Sequence, residues 1–382
     1  MGDKPKVILF GKIEHAHASL YQISQRATIV RPVSRNRAAL LQELSSSGRG
    51  EAFAGAVVLY RTFDSTTVTG RVDGPLLDAL PRTLRFVCHN GAGYDSVDVA
   101  ACAARGVLVS NAPTAVDDAT ADLAVFLLLG ALRNFGPGMR ALRLGRWQCI
   151  GEEEKEDGNG NGNGNGNGGA AVPALGHDPQ GKTLGILGMG GIGRNLARKA
   201  GAFGMRVRYH NRARLDPVVE ASCAGAEYVG FEELLAESDV LSLNLPLNPQ
   251  THHLLSGPQF SLMKPGIVII NTARGAIIDE AALVAALASG RVASAGLDVY
   301  EDEPRVHPGL LSNPRVVLVP HMGTWTVETQ TKMEEWTLSN VRAALESGTL
   351  RSVVPEQRGM LAALEKEKEK EKEKKANGVA AP

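Results

Sequence analysis

The chain has 382 residues, 41 basic and 41 acidic side chains, no formal net charge and 43% hydrophobic residues. That length and apolar content suit about two domains, each with its own core. A balanced charge provides no global field to draw nucleic acid or an anionic membrane to the surface, so neither is expected as a partner. The four cysteines, Cys88, Cys102, Cys149 and Cys223, lie too far apart in sequence for a disulfide framework or a zinc site. They read as buried thiols in a reducing compartment.

In chain order, the N-terminal MGDKPKVILF reads as a lead-in to a first strand rather than a signal peptide. Short β-branched runs at Val7–Phe10, Ala56–Leu59, Arg85–Cys88 and Val107–Ser110 predict strands in the first third. A long helical pattern covers Asp117–Leu144, broken near Gly136-Pro137, where proline removes a helical hydrogen bond. It suits a bridge between two domains. Its apolar core, Leu123–Leu132, falls short of the ~20 residues that a membrane span needs. Glu152–Gly169 (EEEKEDGNGNGNGNGNGG) has little to bury and high backbone entropy, and predicts a disordered loop.

Further strands are predicted at Thr183–Leu187, Arg206–Tyr209, Asp239–Asn244, Ile267–Asn271, Ala295–Val299 and Val316–Val319, with helices such as Ile192–Phe203 and Glu280–Ser289 between them. This alternation predicts an α/β chain with parallel sheets. Runs that are apolar on both faces, such as Ile267–Ile270, fit central strands covered on both sides. Glu365–Lys375 (EKEKEKEKEKK) allows a solvated helix with i,i+4 pairs and no apolar face of its own. Leaving both tracts out keeps the charge near balance. With no leader and no peroxisomal C-terminus, a cytoplasmic location is expected.

Gly188, Gly190 and Gly193 form G-x-G-x-x-G in GKTLGILGMGGIGRNLARKAG, after an apolar strand and at the start of an amphipathic helix. In that setting the first glycine permits the tight turn, the second lets the backbone approach a pyrophosphate, and the third lets helix pack on strand. Gly191 and Ile192 complete the loop, whose helix N-terminus offers free amides to phosphate. The next strand ends at Tyr209-His210-Asn211-Arg212 with no acid to bond the ribose hydroxyls of NAD. Asn211, Arg212 and the nearby Arg214 suit a 2′-phosphate instead, which favours NADP over NAD.

Three polar groups then follow predicted strands: Asn271-Thr272-Ala273-Arg274-Gly275, Asp298-Val299-Tyr300-Glu301-Asp302-Glu303-Pro304 and Pro320-His321-Met322-Gly323-Thr324. Strand C-termini are where open α/β sheets place ligands. Arg, Glu and His together suit carbonyl reduction. The arginine grips a carboxylate, the histidine gives a proton to the nascent alkoxide, and the acid orients the histidine. Taken singly, each also has an ordinary structural reading.

These stretches, in this order, resemble the D-isomer-specific 2-hydroxyacid dehydrogenases, and among them the glyoxylate/hydroxypyruvate reductases and related fungal-type enzymes. The resemblance covers roughly Val7 to Pro355 and rests on GKTLGILGMGGIG, NTARGAIIDE, AGLDVYEDEP and PHMGT. It implies two doubly wound parallel-sheet domains, a Rossmann NAD(P)-binding domain (113–321) inserted into a flavodoxin-like substrate domain (1–112 and 322–355). The disordered Gly/Asn loop (152–169) and a charged tail (356–382) are extra. It further implies an active site in the cleft between the domains, and a homodimer through the cofactor domain.

By the same resemblance, Arg274 binds substrate, Glu303 supports catalysis and His321 is the acid/base. The Asn90–Asp95 loop holds the substrate carboxylate through Gly91, Ala92 and Gly93. Thr120 lies near the nicotinamide, Thr272 and Asp298 meet its carboxamide, and Leu245, Pro246 and Thr251 line the adenosine and phosphates. Ala273 and Gly323 complete the cofactor contacts. Tyr60 and Arg61, after a strand, and Trp325, bulkier than the small residue expected, are candidates for substrate specificity. The implied reaction is NAD(P)H-dependent reduction of a small 2-oxoacid (glyoxylate, hydroxypyruvate, or a branched or aromatic one) to the D-2-hydroxyacid. The alternatives are an NAD(H)-sensing corepressor-like protein on the same fold, or phosphoglycerate dehydrogenase. No metal is expected.

Overall fold

The computed structural model describes residues 4–45, 50–143 and 175–376. Trp147, Cys149 and the Glu152–Gly169 tract lie outside them. The chain divides into two units, one of Met1–Val116 with Trp325–Pro382, the other of Asp117–Thr324.

The first unit carries a parallel sheet of β1 (Lys6–Phe10), β2 (Thr28–Val30), β3 (Ala56–Thr62), β4 (Phe86–Asn90) and β5 (Leu108–Ser110), in the order β2-β1-β3-β4-β5. That is the flavodoxin-like order. The short β2 and its polar surroundings left no apolar run to read in the sequence. Apolar side chains fill both faces. Ile8, Phe10, Leu59 and Val87 pack on one side, and Val7, Leu9, Val58 and Tyr60 on the other, against the helix Val327–Ser347. From that helix the buried Glu334 carboxylate accepts the backbone amides of Glu14, His15 and Ala16, each at 2.8 Å, and so fixes the loop after β1.

The second unit carries β6 (Thr183–Leu187), β7 (Arg206–His210), β8 (Glu227–Tyr228), β9 (Val240–Leu243), β10 (Ile267–Asn271), β11 (Val292–Leu297) and β12 (Val316–Leu318). All pairs are parallel, in the order β12-β11-β10-β9-β6-β7-β8. Numbered from β6, the first six positions reproduce the Rossmann order 3-2-1-4-5-6 with one strand added. The order reverses between β6 and β9, so the ligand crevice of this sheet opens at Leu187 and Leu243.

Two expectations need correction. The break expected near Gly136-Pro137 lies a few residues earlier, between the helices Asp117–Leu132 and Phe135–Arg143, which meet at 78°. The break falls at Asn134, whose φ of 52° is left-handed, and Pro137 sits in the first turn of the second helix, where its missing N–H costs little. The first helix packs in the core of the second unit, through Ala121, Ala124, Leu127 and Leu128. No single helix among the described residues is long and apolar enough to cross a membrane.

The charged C-terminal segment also differs from a plain solvated tail. Buried Gln357 accepts from the Val109 amide at 2.7 Å and donates to the Val107 carbonyl at 2.9 Å. The helix Arg358–Ala376 then anchors Met360, Leu361 and Leu364 on the first unit's core, and the Lys/Glu tract prolongs it. Cys88, Cys102 and Cys223 are buried free thiols, and burial pushes the first two up to about 12.

Glu334→Ala removes the carboxylate that accepts three amides at the loop after β1. At roughly 1 kcal/mol or more for each unsatisfied amide, the expected loss is about 3 kcal/mol. Urea denaturation measures it, and a loss below about 1 kcal/mol would show that the loop finds other acceptors.

Candidate functional site

In the second unit, β11 is followed by Asp298, which is 1% exposed. Its carboxylate accepts the Met322 amide and, at 2.9 Å, the Gly323 amide. Its carbonyl accepts the His321 amide at 2.8 Å. These bonds hold the turn after β12 with His321 at φ 54°, a left-handed conformation unusual for a non-glycine residue and associated with functional sites. Burial raises the Asp298 carboxyl, against the two amides and the charge of His321.

So held, His321 bonds Glu303 Oε2 through Nδ1 at 2.9 Å. Glu303 Oε1 accepts the Tyr300 amide at 3.1 Å. Burial alone would raise the Glu303 carboxyl. The hydrogen bond and charge of His321, the Tyr300 amide and the charge of Arg274 bring it below the ordinary carboxylate value. Tyr300 is itself buried and donates to the Val319 carbonyl at 2.9 Å.

Arg274 leaves β10 in extended conformation. Its carbonyl accepts Asn271 Nδ2 at 2.9 Å, and its Nη1 donates to the Ala273 carbonyl at 2.8 Å. A Cβ on Gly275 would fall 1.8 Å from the Tyr300 carbonyl carbon, so only glycine lets the Arg274 segment lie against the Tyr300–Glu303 segment. Thus Arg274, Glu303 and His321, together with Asp298, come together as one electrostatic cluster.

The glycine loop fills the crevice end of β6. Gly188 has φ 101°, and a Cβ there would meet the Asn244 carbonyl oxygen at 2.5 Å. A Cβ on Gly193 would meet the Gly188 carbonyl oxygen at 2.4 Å, while Gly190 has open space. The three glycines therefore do what the motif requires of them. Asn211 Oδ1 accepts the Met189 amide at 2.7 Å, tying the end of β7 to the loop. Thr120 donates to the Gly323 carbonyl at 3.3 Å. Thr251 donates to the Pro246 carbonyl at 2.7 Å and closes the turn after Leu245. Thr272 Oγ1 is buried with no hydrogen-bond partner among the described residues. An open glycine loop, a row of helix amides and an unsatisfied hydroxyl fit a nicotinamide dinucleotide.

Arg214 is placed otherwise than expected for a residue free to face a 2′-phosphate. Its Nε and Nη2 each lie 2.9 Å from a Glu220 oxygen, and Glu220 also accepts the Tyr209 hydroxyl at 2.6 Å. The Arg214 and Tyr209 hydrogen bonds hold the Glu220 carboxyl well below its ordinary value. Arg212 is exposed and in no ion pair among the described residues.

In the first unit, the carbonyls of the Asn90–Asp95 loop turn inward. Gly91 O accepts the Ala112 amide at 2.9 Å, Ala92 O accepts Asn111 Nδ2 at 2.7 Å, and Gly93 O lies 2.9 Å from His89 Nε2. No backbone hydrogen bond is donated by the Ala92 or Gly93 amide among the described residues. Tyr60 and Arg61 are corrected: both are fully buried. Arg61 donates to Ser96 Oγ at 2.8 Å and Thr66 Oγ1 at 2.6 Å, and burial lowers it to about 10. Neither side chain is available as a specificity contact. Trp325, by contrast, is 69% exposed, which excludes ordinary core packing.

Two arrangements had no sequence signal. His253 Nε2 lies 2.7 Å from Glu301 Oε1, and Glu301 and Glu280 exchange backbone-to-carboxylate bonds that brace the acidic segment. Asp117 stands against Gly191, far from it in sequence. Among the described residues, no cluster suited to a metal ion is present.

Residues 125–323 match the family model described as D-isomer specific 2-hydroxyacid dehydrogenase, NAD binding domain. The chain is 48% identical to 4-methyl-2-oxopentanoate reductase A of Aspergillus oryzae, over 93% of this chain and 99% of that one. Among solved structures, it resembles a glyoxylate reductase from Paecilomyes thermophila with a TM-score of 0.83 and 47% identity, covering 93% of this chain and 99% of the other. Against the holo form of D-mandelate dehydrogenase from Rhodotorula graminis, the TM-score is 0.81 at 31% identity, covering 93% and 98%.

The lowered Glu303 carboxyl adds stability that is present above its unfolded value and is lost as pH falls through its folded value. Replacing it by Gln removes that part. The stability difference between wild type and Glu303→Gln, from urea denaturation, is therefore expected to shrink between neutral and acid pH. A difference that stays constant or grows on acidification would contradict the ion pair's contribution.

Proposed function

The chain belongs to the D-isomer specific 2-hydroxyacid dehydrogenase family, and we propose that it reduces a small 2-oxoacid to the D-2-hydroxyacid with NADPH or NADH. The His321–Glu303 pair, with the charge of Arg274 beside it, carries this reading. Bound at the glycine loop, the dinucleotide supplies a hydride for the C2 carbonyl. Glu303 holds Nδ1 of His321 and so fixes the imidazole, and Nε2 delivers a proton to the oxygen as charge develops on it. Arg274 grips the substrate carboxylate and polarises the neighbouring ketone. The amides of the Gly91–Gly93 loop are proposed as donors to a substrate carboxylate. Thr272, with its unsatisfied hydroxyl, and Asp298 would hold the carboxamide of the nicotinamide.

For the cofactor, the proposed preference is NADP. It is supported by the exposed Arg212, by Asn211 at the end of β7, and by the lack of an acid there. Arg214 takes part as a brace: pinned on Glu220, it stiffens the segment that carries Arg212. For the substrate, Trp325 and the partly exposed Met322 follow the catalytic turn and suit an apolar side chain. This reading favours branched or aromatic 2-oxoacids over glyoxylate. A homodimer is also proposed, through the helix Phe135–Arg143. Its Phe135, Met139 and Leu142 are exposed at helical spacing on one stripe.

The test is a panel of 2-oxoacids, glyoxylate to 4-methyl-2-oxopentanoate, assayed with each cofactor on wild type and His321→Ala. Turnover is expected to fall by ~10²-fold or more in the variant, with NADH binding kept. Wild-type-like turnover in His321→Ala, or no 2-oxoacid reduced by the wild type, overturns the mechanism.

Arg212→Asp puts a carboxylate where the 2′-phosphate is proposed to lie. It is expected to raise KM for NADPH at least ~10-fold, through loss of a charge-assisted bond and added repulsion, with little change for NADH. Equal effects on the two cofactors would remove the NADP preference.

A further inference from the structure

Asp117 opens the helix Asp117–Leu132, which packs along the helix Gly191–Ala202. A Cβ placed on Gly191 would lie 2.0 Å from Asp117 Oδ2 and 2.6 Å from Oδ1. The carboxylate thus fills the side-chain space of the first residue of the helix whose free amides form the anion-binding end of the glycine loop. Further along, Lys199 and Asp122 join the same two helices by an ion pair of 2.8 Å.

The charged groups facing Asp117 are Arg194 and Arg198 on the helix Gly191–Ala202 and Asp118 on its own helix. Burial of this half-buried carboxyl outweighs them and pushes it up to about 6, with Arg194 opposing, Asp118 adding and Arg198 opposing. Arg194 is partly engaged elsewhere, since its Nε donates to the Gly190 carbonyl at 3.2 Å.

A dinucleotide on this loop brings a doubly charged pyrophosphate to amides that already have a carboxylate as neighbour. Ionised, Asp117 repels it. Protonated, Asp117 has no charge to repel and gains an O–H to donate. We propose that Asp117 takes a proton from solvent when the dinucleotide binds, which makes cofactor affinity depend on pH. The proposal rests on the glycine loop holding a dinucleotide and goes beyond the reaction proposed above.

The direction follows from linkage. A nearby dianion favours the neutral carboxyl, so the bound state holds the proton to higher pH than the free state. Binding is tightest on the acid side and weakens as pH rises through the free-state value. NADH is the probe, because it lacks the 2′-phosphate, whose own second ionisation falls near pH ~6 by analogy with other phosphate monoesters.

The Kd of NADH, from fluorescence titration, is expected to rise roughly fivefold between about pH 5.5 and about pH 7.5 in the wild type, and to stay within about twofold in Asp117→Asn. Calorimetry of the wild type in two buffers of different ionisation enthalpy near neutral pH is expected to show net proton uptake on binding. It needs no variant. The same pH slope in both proteins, or no proton uptake by the wild type, overturns the proposal. Loss of NADH binding at every pH in both proteins would instead sink the cofactor site itself, and the proposal with it.

Discussion

The candidate site depends on one buried carboxylate. Asp298 sits at the end of a central strand and accepts both amides that follow His321. A carboxylate removed from water needs such donors, and two backbone amides in succession offer themselves only if the chain turns sharply at the residue before them. That residue is His321, and the turn gives it its left-handed conformation. The imidazole is thereby aimed at Glu303, which is fixed in turn through the Tyr300 amide. Strain at His321, the orientation of its ring and the position of Glu303 follow from satisfying Asp298.

The sheet supplies the rest. All seven strands of the second unit run in one direction, so their C-terminal ends share one edge. Loops after β6, β9, β10, β11 and β12 therefore carry the glycine turn, Asn244, Arg274, Asp298 and His321 to the same side. A parallel sheet buries both faces, which explains why so few polar side chains occur inside these strands and why chemistry appears as soon as a strand stops. Close approach is then limited by side-chain volume. Gly188, Gly193 and Gly275 stand where a single methyl group would meet backbone atoms.

Most of this was legible in the sequence, for physical reasons. Long apolar strands announce themselves, and Thr183–Leu187 and Ile267–Asn271 coincide with observed strands residue for residue. Short edge strands such as Thr28–Val30 do not, because two or three residues carry no period. The bend between the two helices after Asp117 was misplaced because proline is a conspicuous breaker, whereas Asn134, which actually turns left-handed, is a quiet one. At the site, residue types following strands pointed to Arg274, Glu303 and His321. Burial, however, belongs to the fold. Arg61 follows the visible part of its strand and reads as solvent-facing until β3 is seen to continue through it into the core. Arg214 looked free until its acid partner, six residues on, folded back upon it.

A site for anionic ligands would be expected to shed its acids, yet four stand in or beside this one. Each is neutralised in a different way. Glu303 is answered by a histidine and the field of an arginine, Asp298 by two amides, and Glu220 by an arginine and a tyrosine hydroxyl. Asp117 is countered less by partners than by burial, which favours its neutral form. The even balance of charge over the whole chain therefore says little about what the surface attracts. The relevant electrostatics is local. Glu303 is the fixed half of a pair with His321, Asp298 is met by backbone amides, and Asp117, set against the glycine loop, is the acid whose neutral form burial favours most directly.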